Sequence, residues 1–219
     1  TLDVMSANAT GGVNGILTSN DGSGASTVSV SGLVQGGTGW GINTYTSAGT
    51  PGSVAAGSLT TINLGAGAVV RATSGQAIQN NFGNSVVNMA AGSAINGQVK
   101  LGDGSDTFNV NSGSLDLTSI TLLDGGDDVG TADGMIDTLN FNAAWSGNLV
   151  GATLTNWELI NIDGGTVSFT DGALTVGSDT GTGLTLTNAG VLDAGGSFAL
   201  TGNLTTSAGG IFDGTGGGV

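Results

Sequence analysis

Asp103 and Asp106 stand three residues apart between glycines in LGDGSDTF (101–108), within a chain that carries little other charge. Three chemistries suit that spacing. Loop carboxylates can ligate calcium, paired carboxylates can cleave glycosidic bonds, and an aspartate before glycine closes a turn with its own backbone. The calcium-binding nonapeptide G-G-x-G-x-D-x-U-x is matched by Gly102, Gly104, Asp106 and Phe108, but Leu101 replaces its first glycine. In that motif tandem copies share each ion, because calcium needs six to eight oxygens. The one other partial copy, LLDGGDDVGTADGMIDTLNF (122–141), places Asp137 and Leu139 in the corresponding roles and is stretched by extra residues. Asp-Gly also recurs at Asp21, Asp103, Asp124, Asp133, Asp163, Asp171 and Asp213. A structural turn is therefore the default reading of LGDGSDTF. Calcium is the alternative, with Asp103, Asp106, Asp127 and Asp128 as its ligands. Eight of the sixteen acids (103, 106, 116, 124, 127, 128, 133 and 137) fall within 35 residues. Stacked in neighbouring layers, they would favour a bound cation or raised pKa values.

Other chemistries are poorly provided for. The chain has no cysteine and no histidine, which removes the usual zinc sites, thiol nucleophiles and the Ser-His-Asp relay. Arg71 and Lys100 are the only basic side chains, and Trp40, Tyr45, Trp145 and Trp157 are too dispersed to line a sugar cleft. No catalytic residue and no cofactor other than calcium is expected. TGTGLT (180–185) lacks the spacing of a phosphate loop, Thr185 and Thr187 do not recur in register as an ice-binding face would need, and the sequons at Asn8 and Asn203 carry little meaning. A formal charge of −14 repels nucleic acid and anionic membrane surfaces. No apolar run approaches the ~18 residues needed to span a bilayer, and no signal peptide opens the chain.

The elements that must position these acids are strands. Gly, Ser, Thr and Asn number 44, 21, 29 and 19, yet about a quarter of the residues are Leu, Ile, Val or Phe and Pro51 is the single proline, which fits a folded chain. Short alternating runs, STVSVSGLV (26–34), LTTINLG (59–65), VSFTDGALTV (167–176), LTLTN (184–188) and FALTGNL (198–204), are bounded by Gly, Asn or Asp. No segment holds an apolar helical face. One helical turn near Asn156 and Trp157 is the most the pattern allows, with Trp157 filling a widened core or covering an edge.

Repetition sets the architecture. The segment from Leu184 aligns with that from Leu204 at an offset of twenty, matching Gly190 with Gly210, Leu192 with Phe212 and Asp193 with Asp213. INLGAGAVV (62–70) aligns with VNMAAGSAI (87–95) at an offset of twenty-five, Gly67 on Gly92. Such periods suit layers that bury their inner faces by stacking. The expectation is an all-β chain forming one parallel β-solenoid over 1–219, with 1–58 as N-terminal rungs or a cap. At about 22 residues per rung it makes roughly ten rungs, on the order of 45–50 Å long.

GAGAVVRATSGQAIQNN (65–81), AGSAINGQVKLGDGSDTFNV (91–110) and LTNWELINIDGGTVSF (154–169) together resemble the repeats in passenger domains of bacterial autotransporter adhesins, over roughly Leu59 to Val219. The resemblance implies a right-handed parallel β-helix, exported and displayed on an outer membrane by a separate C-terminal barrel, of which this sequence is a passenger fragment. It implies a non-catalytic adhesin or stalk, whose partners are host or matrix molecules or the same solenoid on another cell.

Overall fold

The structure, a computed structural model, describes residues 2–4, 9–20, 24–46, 58–178, 181–195 and 197–214. Asp21, Asn8 and Pro51 lie outside them. Among the described residues the chain is all-β, with one 3-10 turn at Gly151–Thr153. The single helical turn that the pattern allows near Asn156 and Trp157 forms just before them, as the 3-10 turn at Gly151–Thr153, and not at Asn156 itself. Asn156 takes a left-handed backbone (φ 55°) and reverses the chain, as a short polar side chain tolerates.

Among the described residues every strand pairing is parallel. The longest sheet has nine strands, which run in chain order as Leu2–Val4, Ala25–Val30, Leu59–Leu64, Asn84–Met89, Thr107–Val110, Thr138–Phe141, Leu159–Asp163, Gly183–Thr187 and Asn203–Thr206. A second sheet, of eight strands, includes Val69–Asn80, Ala94–Lys100 and Ile120–Asp124. A four-stranded sheet contains Thr166–Phe169 and Val191–Asp193, and a two-stranded sheet pairs Ala173–Thr175 with Ala199–Thr201. Parallel neighbours separated by one circuit of chain are what stacked solenoid layers require. The strands of the first 46 residues pair into the same sheets as the rest.

The repeat alignments appear as registers. Leu184 pairs with Leu204, Leu192 with Phe212, Asp193 with Asp213, Ile62 with Val87 and Val70 with Ile95. Gly67 and Gly92 both turn with positive φ, at 81° and 77°, and Gly67 N–H donates to Gly92 carbonyl at 3.2 Å. Several runs that read as single strands are broken by corners: 26–34 becomes Ala25–Val30 and Leu33–Gly36, and 167–176 becomes Thr166–Phe169 and Ala173–Thr175.

Alternation decides which side chains enter the core. In Leu59–Leu64, Thr60, Ile62 and Leu64 are buried while Leu59, Thr61 and Asn63 face outward. Register then stacks like on like. One inner column runs Val28, Ile62, Val87, Phe108, Leu139, Ile160, Leu184, and a second runs Val30, Leu64, Met89, Val110, Phe141, Ile162, Leu186. Each such side chain contributes roughly 1.5–3 kcal/mol when buried. Trp157 is fully buried, its Nε1–H donating to Leu123 carbonyl at 3.0 Å, and Trp145 stacks on Phe141 at 5.0 Å while donating to Leu115 carbonyl at 2.8 Å. Both indoles fill the core.

Candidate functional site

The inward-facing position just before the apolar columns is polar. In register it carries Thr60, Ser85, Asp106, Asp137 and Glu158, all buried. These residues sit where the chain leaves the second sheet and enters the nine-stranded one. The corners differ in length from layer to layer, and the backbone ladder of the long sheet is only half closed here: the carbonyls of Asp106, Asp137 and Glu158 already accept from Thr138, Leu159 and Gly183 N–H. Side chains close the other half. Ser85 N–H donates to Asp106 Oδ1 at 2.5 Å, Asp106 N–H to Asp137 Oδ1 at 2.7 Å, and Asp137 N–H to Glu158 Oε2 at 2.6 Å. Each acid thus holds the backbone of the layer before it.

One oxygen of each acid is occupied in this way. The other, Asp106 Oδ2, Asp137 Oδ2 and Glu158 Oε1, is buried without a hydrogen-bond partner. Asp106 and Asp137 are 0 % exposed and Glu158 is 1 % exposed. Burial therefore disfavours their charged forms. It pushes Asp106 well above the usual carboxylate range, helped by the Asp137 charge and opposed by the Ser85 donors. Burial raises Asp137 to about 8, with the Asp106 N–H pulling down and the charges of Glu158, Asp127 and Asp124 pushing up. It raises Glu158 to about 7, again against backbone donors and with the charges of Asp127 and Asp128.

The segment Gly125–Asp137 forms the long corner over this column. A Cβ at Gly126 would lie 2.4 Å from both Asp137 Oδ2 and Gly102 carbonyl, so this backbone presses directly on the acid and only glycine fits. Asn156 Nδ2 reaches across it to Asp124 Oδ1 at 2.9 Å and Gly126 carbonyl at 3.1 Å. Asp127, on the outside, is raised to about 6 by burial and by hydrogen bonding to Asp133, and its charge acts on Asp106, Asp137 and Glu158 alike.

The four expected calcium ligands fare differently. Asp106 enters the column. Asp127 overlies it. Asp128 accepts from Gly130 N–H within its own loop, and its charge acts on Glu158. Asp103 forms an isolated bridge with Phe82 and accepts from Gly83 N–H through its carbonyl at 2.9 Å. Among the described residues no group of three or more acidic side chains stands close enough together to hold a metal ion. Asp116 lies apart, accepting from Thr118. Asp171 shows the corner role of Asp-Gly most fully. Its carboxylate takes Gly151 N–H at 2.8 Å and Ala152 N–H at 2.9 Å, while Gly172 turns with φ 67°. Asp193 and Asp213 stand opposite each other on neighbouring strands, as their spacing predicts.

Glu158 is the member of the column that sequence reading passes over. A signal does exist: a polar or acidic residue, any residue, an apolar residue, then asparagine, as in SVVN (85–88), DTFN (106–109), DTLN (137–140) and ELIN (158–161).

Those asparagines build a second feature, on the outer face of the long sheet. Asn88 Nδ2 donates to Asn63 Oδ1 at 2.9 Å, Asn109 to Asn88 at 2.9 Å, Asn140 to Asn109 at 2.8 Å and Asn161 to Asn140 at 2.8 Å. The column continues in register as Thr185 and Thr205. Two residues earlier along each strand lie Thr27, Thr61, Val86, Thr107, Thr138 and Leu159, also facing outward. Hydroxyls recur here at Thr27 and Thr61 and again at Thr107 and Thr138, with Val86 and Leu159 breaking the column, while Thr185 and Thr187 stand opposite Asn161 and Asp163, so that threonine pair does not recur in register, as expected.

Compared with models of protein families, with curated proteins and with solved structures, the chain matches none. No helix among the described residues is long and apolar enough to cross a membrane.

Proposed function

We propose that this chain is a non-catalytic adhesive or stalk module of an autotransporter-like passenger, a right-handed solenoid of roughly ten rungs displayed at a bacterial outer membrane. The observation that carries this reading is the outer Asn/Thr face of the long sheet. In a chain of charge −14 it offers a column of amides beside a column of Thr27, Thr61, Thr107 and Thr138 interrupted by Val86 and Leu159, without a charged residue from Ser29 through Asn161. Amides and hydroxyls each donate and accept, so such a face is complementary to a copy of itself and to neutral polar surfaces of host or matrix. Individual contacts are weak and screened by water, and repetition along the stack supplies avidity. Acids elsewhere on the chain repel a second copy at low salt.

Sedimentation velocity across protein concentration and salt tests this. Association that strengthens with ionic strength is expected. It should be lost when Thr107→Lys and Thr138→Lys place like charges on the face, and kept when Gln79→Lys and Gln98→Lys place them on the second sheet. If the wild-type chain stays monomeric at every salt concentration, self-association is wrong, and a heterologous partner or a spacer role takes its place.

A further inference from the structure

We propose that the Asn/Thr face of the long sheet binds a neutral, extended polysaccharide laid along the stack, its hydroxyls on the carboxamides from Asn63 to Asn161. The inference rests on the adhesive reading of that face and names its ligand. The starting observation is the ladder of side-chain amides. Asn88, Asn109, Asn140 and Asn161 each donate an N–H to the asparagine of the layer before, at 2.8–2.9 Å. A carboxamide carries two N–H donors and an oxygen with two lone pairs. Each amide therefore keeps at least one donor and one acceptor after the ladder bonds are made. Those bonds also fix the rotamers, so little side-chain freedom is lost when a ligand arrives.

The repeat selects a polymer. The amides recur at the strand spacing, about 4.8 Å, and the Thr107 and Thr138 hydroxyls stand two residues away along each strand, roughly 6–7 Å. A globular partner has no such period. An extended β-linked glycan does, since it advances by about a strand spacing per sugar and offers hydroxyls that donate and accept. Val86 and Leu159, which interrupt the threonine column, can meet the C–H faces of its rings.

Charge selects a neutral one. The chain holds sixteen acids against two bases, and both bases stand on the second sheet. Arg71 lies in Val69–Asn80, with its Nε donating to the Gln35 side chain at 2.5 Å, and Lys100 ends Ala94–Lys100. A uronate or sulfated glycan is repelled by the acids and meets no cation on the Asn/Thr face. A polycation would settle on the acids and leave that face free. Neither column contains an aromatic ring on which a single sugar could stack. Binding strength must then come from repetition, so long chains bind and monosaccharides do not.

The test is a depletion assay on particles of microcrystalline cellulose and of chitin, in about 0.15 M salt. It is run at a protein concentration at which sedimentation shows monomer. Saturable retention on these particles is expected, at least about tenfold stronger than on carboxymethyl cellulose, the same polymer carrying carboxylates. Asn109→Ala with Asn140→Ala should weaken retention by about tenfold or more, through loss of two adjacent rungs. Thr107→Lys with Thr138→Lys leaves the ladder intact and should weaken it as well, which decides the matter if the alanine pair does not fold. Gln79→Lys with Gln98→Lys, on the second sheet, should change nothing. Absent retention, equal retention on carboxymethyl cellulose, or retention that survives the Thr107→Lys, Thr138→Lys pair would overturn the ligand. If the monomer binds no particle while the concentrated chain associates through this face, the adhesive reading stands and the polysaccharide falls. Retention by a chain that never self-associates would support the ligand and remove only self-association.

Discussion

At the scale of single residues, the chain places acids in the column that its earlier layers fill with hydroxyls. Thr60 and Ser85 begin the inner polar column and Asp106, Asp137 and Glu158 continue it. A hydroxyl could satisfy a backbone N–H at no electrostatic cost, whereas a carboxylate gives a stronger acceptor and is disfavoured in its charged form when buried. The balance is a pH dependence whose sign follows from the directions of the shifts. Asp106, Asp137 and Glu158 all bind protons more tightly folded than unfolded. Their contribution is therefore full below the ordinary carboxylate range, and declines as pH rises through about 7 for Glu158 and about 8 for Asp137. Thermal melts in chelator should fall steadily from about pH 5 to about pH 9. Asp137→Asn keeps the acceptor for Asp106 N–H and brings an amide donor against Gly102 carbonyl, so its melting temperature should vary less over that span and exceed wild type at the alkaline end. A wild-type melt that is flat or rises with pH would show that these acids are ionised in the folded chain.

At the scale of elements, alternation and register do most of the organising, and they were legible to different degrees. The inward residues of Leu59–Leu64 and Gly183–Thr187 follow directly from period two, because every second side chain must meet the core. Offsets of twenty and twenty-five residues gave the registers of Leu184 with Leu204 and Ile62 with Val87, because those layers have corners of similar length. The acid column escaped the same logic. Its members are separated by 21, 31 and 21 residues, since the Gly125–Asp137 corner is longer than its neighbours. A fixed period could not find a ladder whose steps are unequal. The corners that split 26–34 and 167–176 were missed for another reason: Ser31-Gly32 and Asp171-Gly172 interrupt the apolar alternation too briefly to mark a strand end. Two element-level substitutions separate core from ladder. Leu139→Ala removes a fully buried side chain from the middle of an inner column and should cost about 2–5 kcal/mol in denaturant unfolding. Asn109→Ala breaks two of the outward amide bonds, to Asn88 and from Asn140, at half-exposed positions, and should cost about 1–2 kcal/mol. If Asn109→Ala proves neutral, the ladder shapes the outer face without holding the layers together.

At the scale of the whole molecule, a second surface differs in chemistry from the Asn/Thr face. Asn203–Thr206 is the outermost described strand of the long sheet, and its inward position is Leu204, 40 % exposed, in register with fully buried Leu184. Beside it Ile211 and Phe212 are 49 % and 46 % exposed, although Phe212 continues the buried Leu192. Exposed apolar side chains clustered in this way favour association. This provides a second route to association, distinct from the Asn/Thr face in both direction and chemistry. Contacts through Leu204, Ile211 and Phe212 bury apolar area and persist at low salt. Face contacts join solenoids side by side, are polar, and need salt to overcome the repulsion of the acids. Leu204→Lys with Phe212→Lys should therefore remove any oligomer that light scattering detects at low ionic strength, while leaving intact the salt-dependent association that Thr107→Lys and Thr138→Lys abolish. Were these two substitutions to remove both, the outer face would have no adhesive role of its own, and self-association would belong to the exposed apolar side chains Leu204, Ile211 and Phe212.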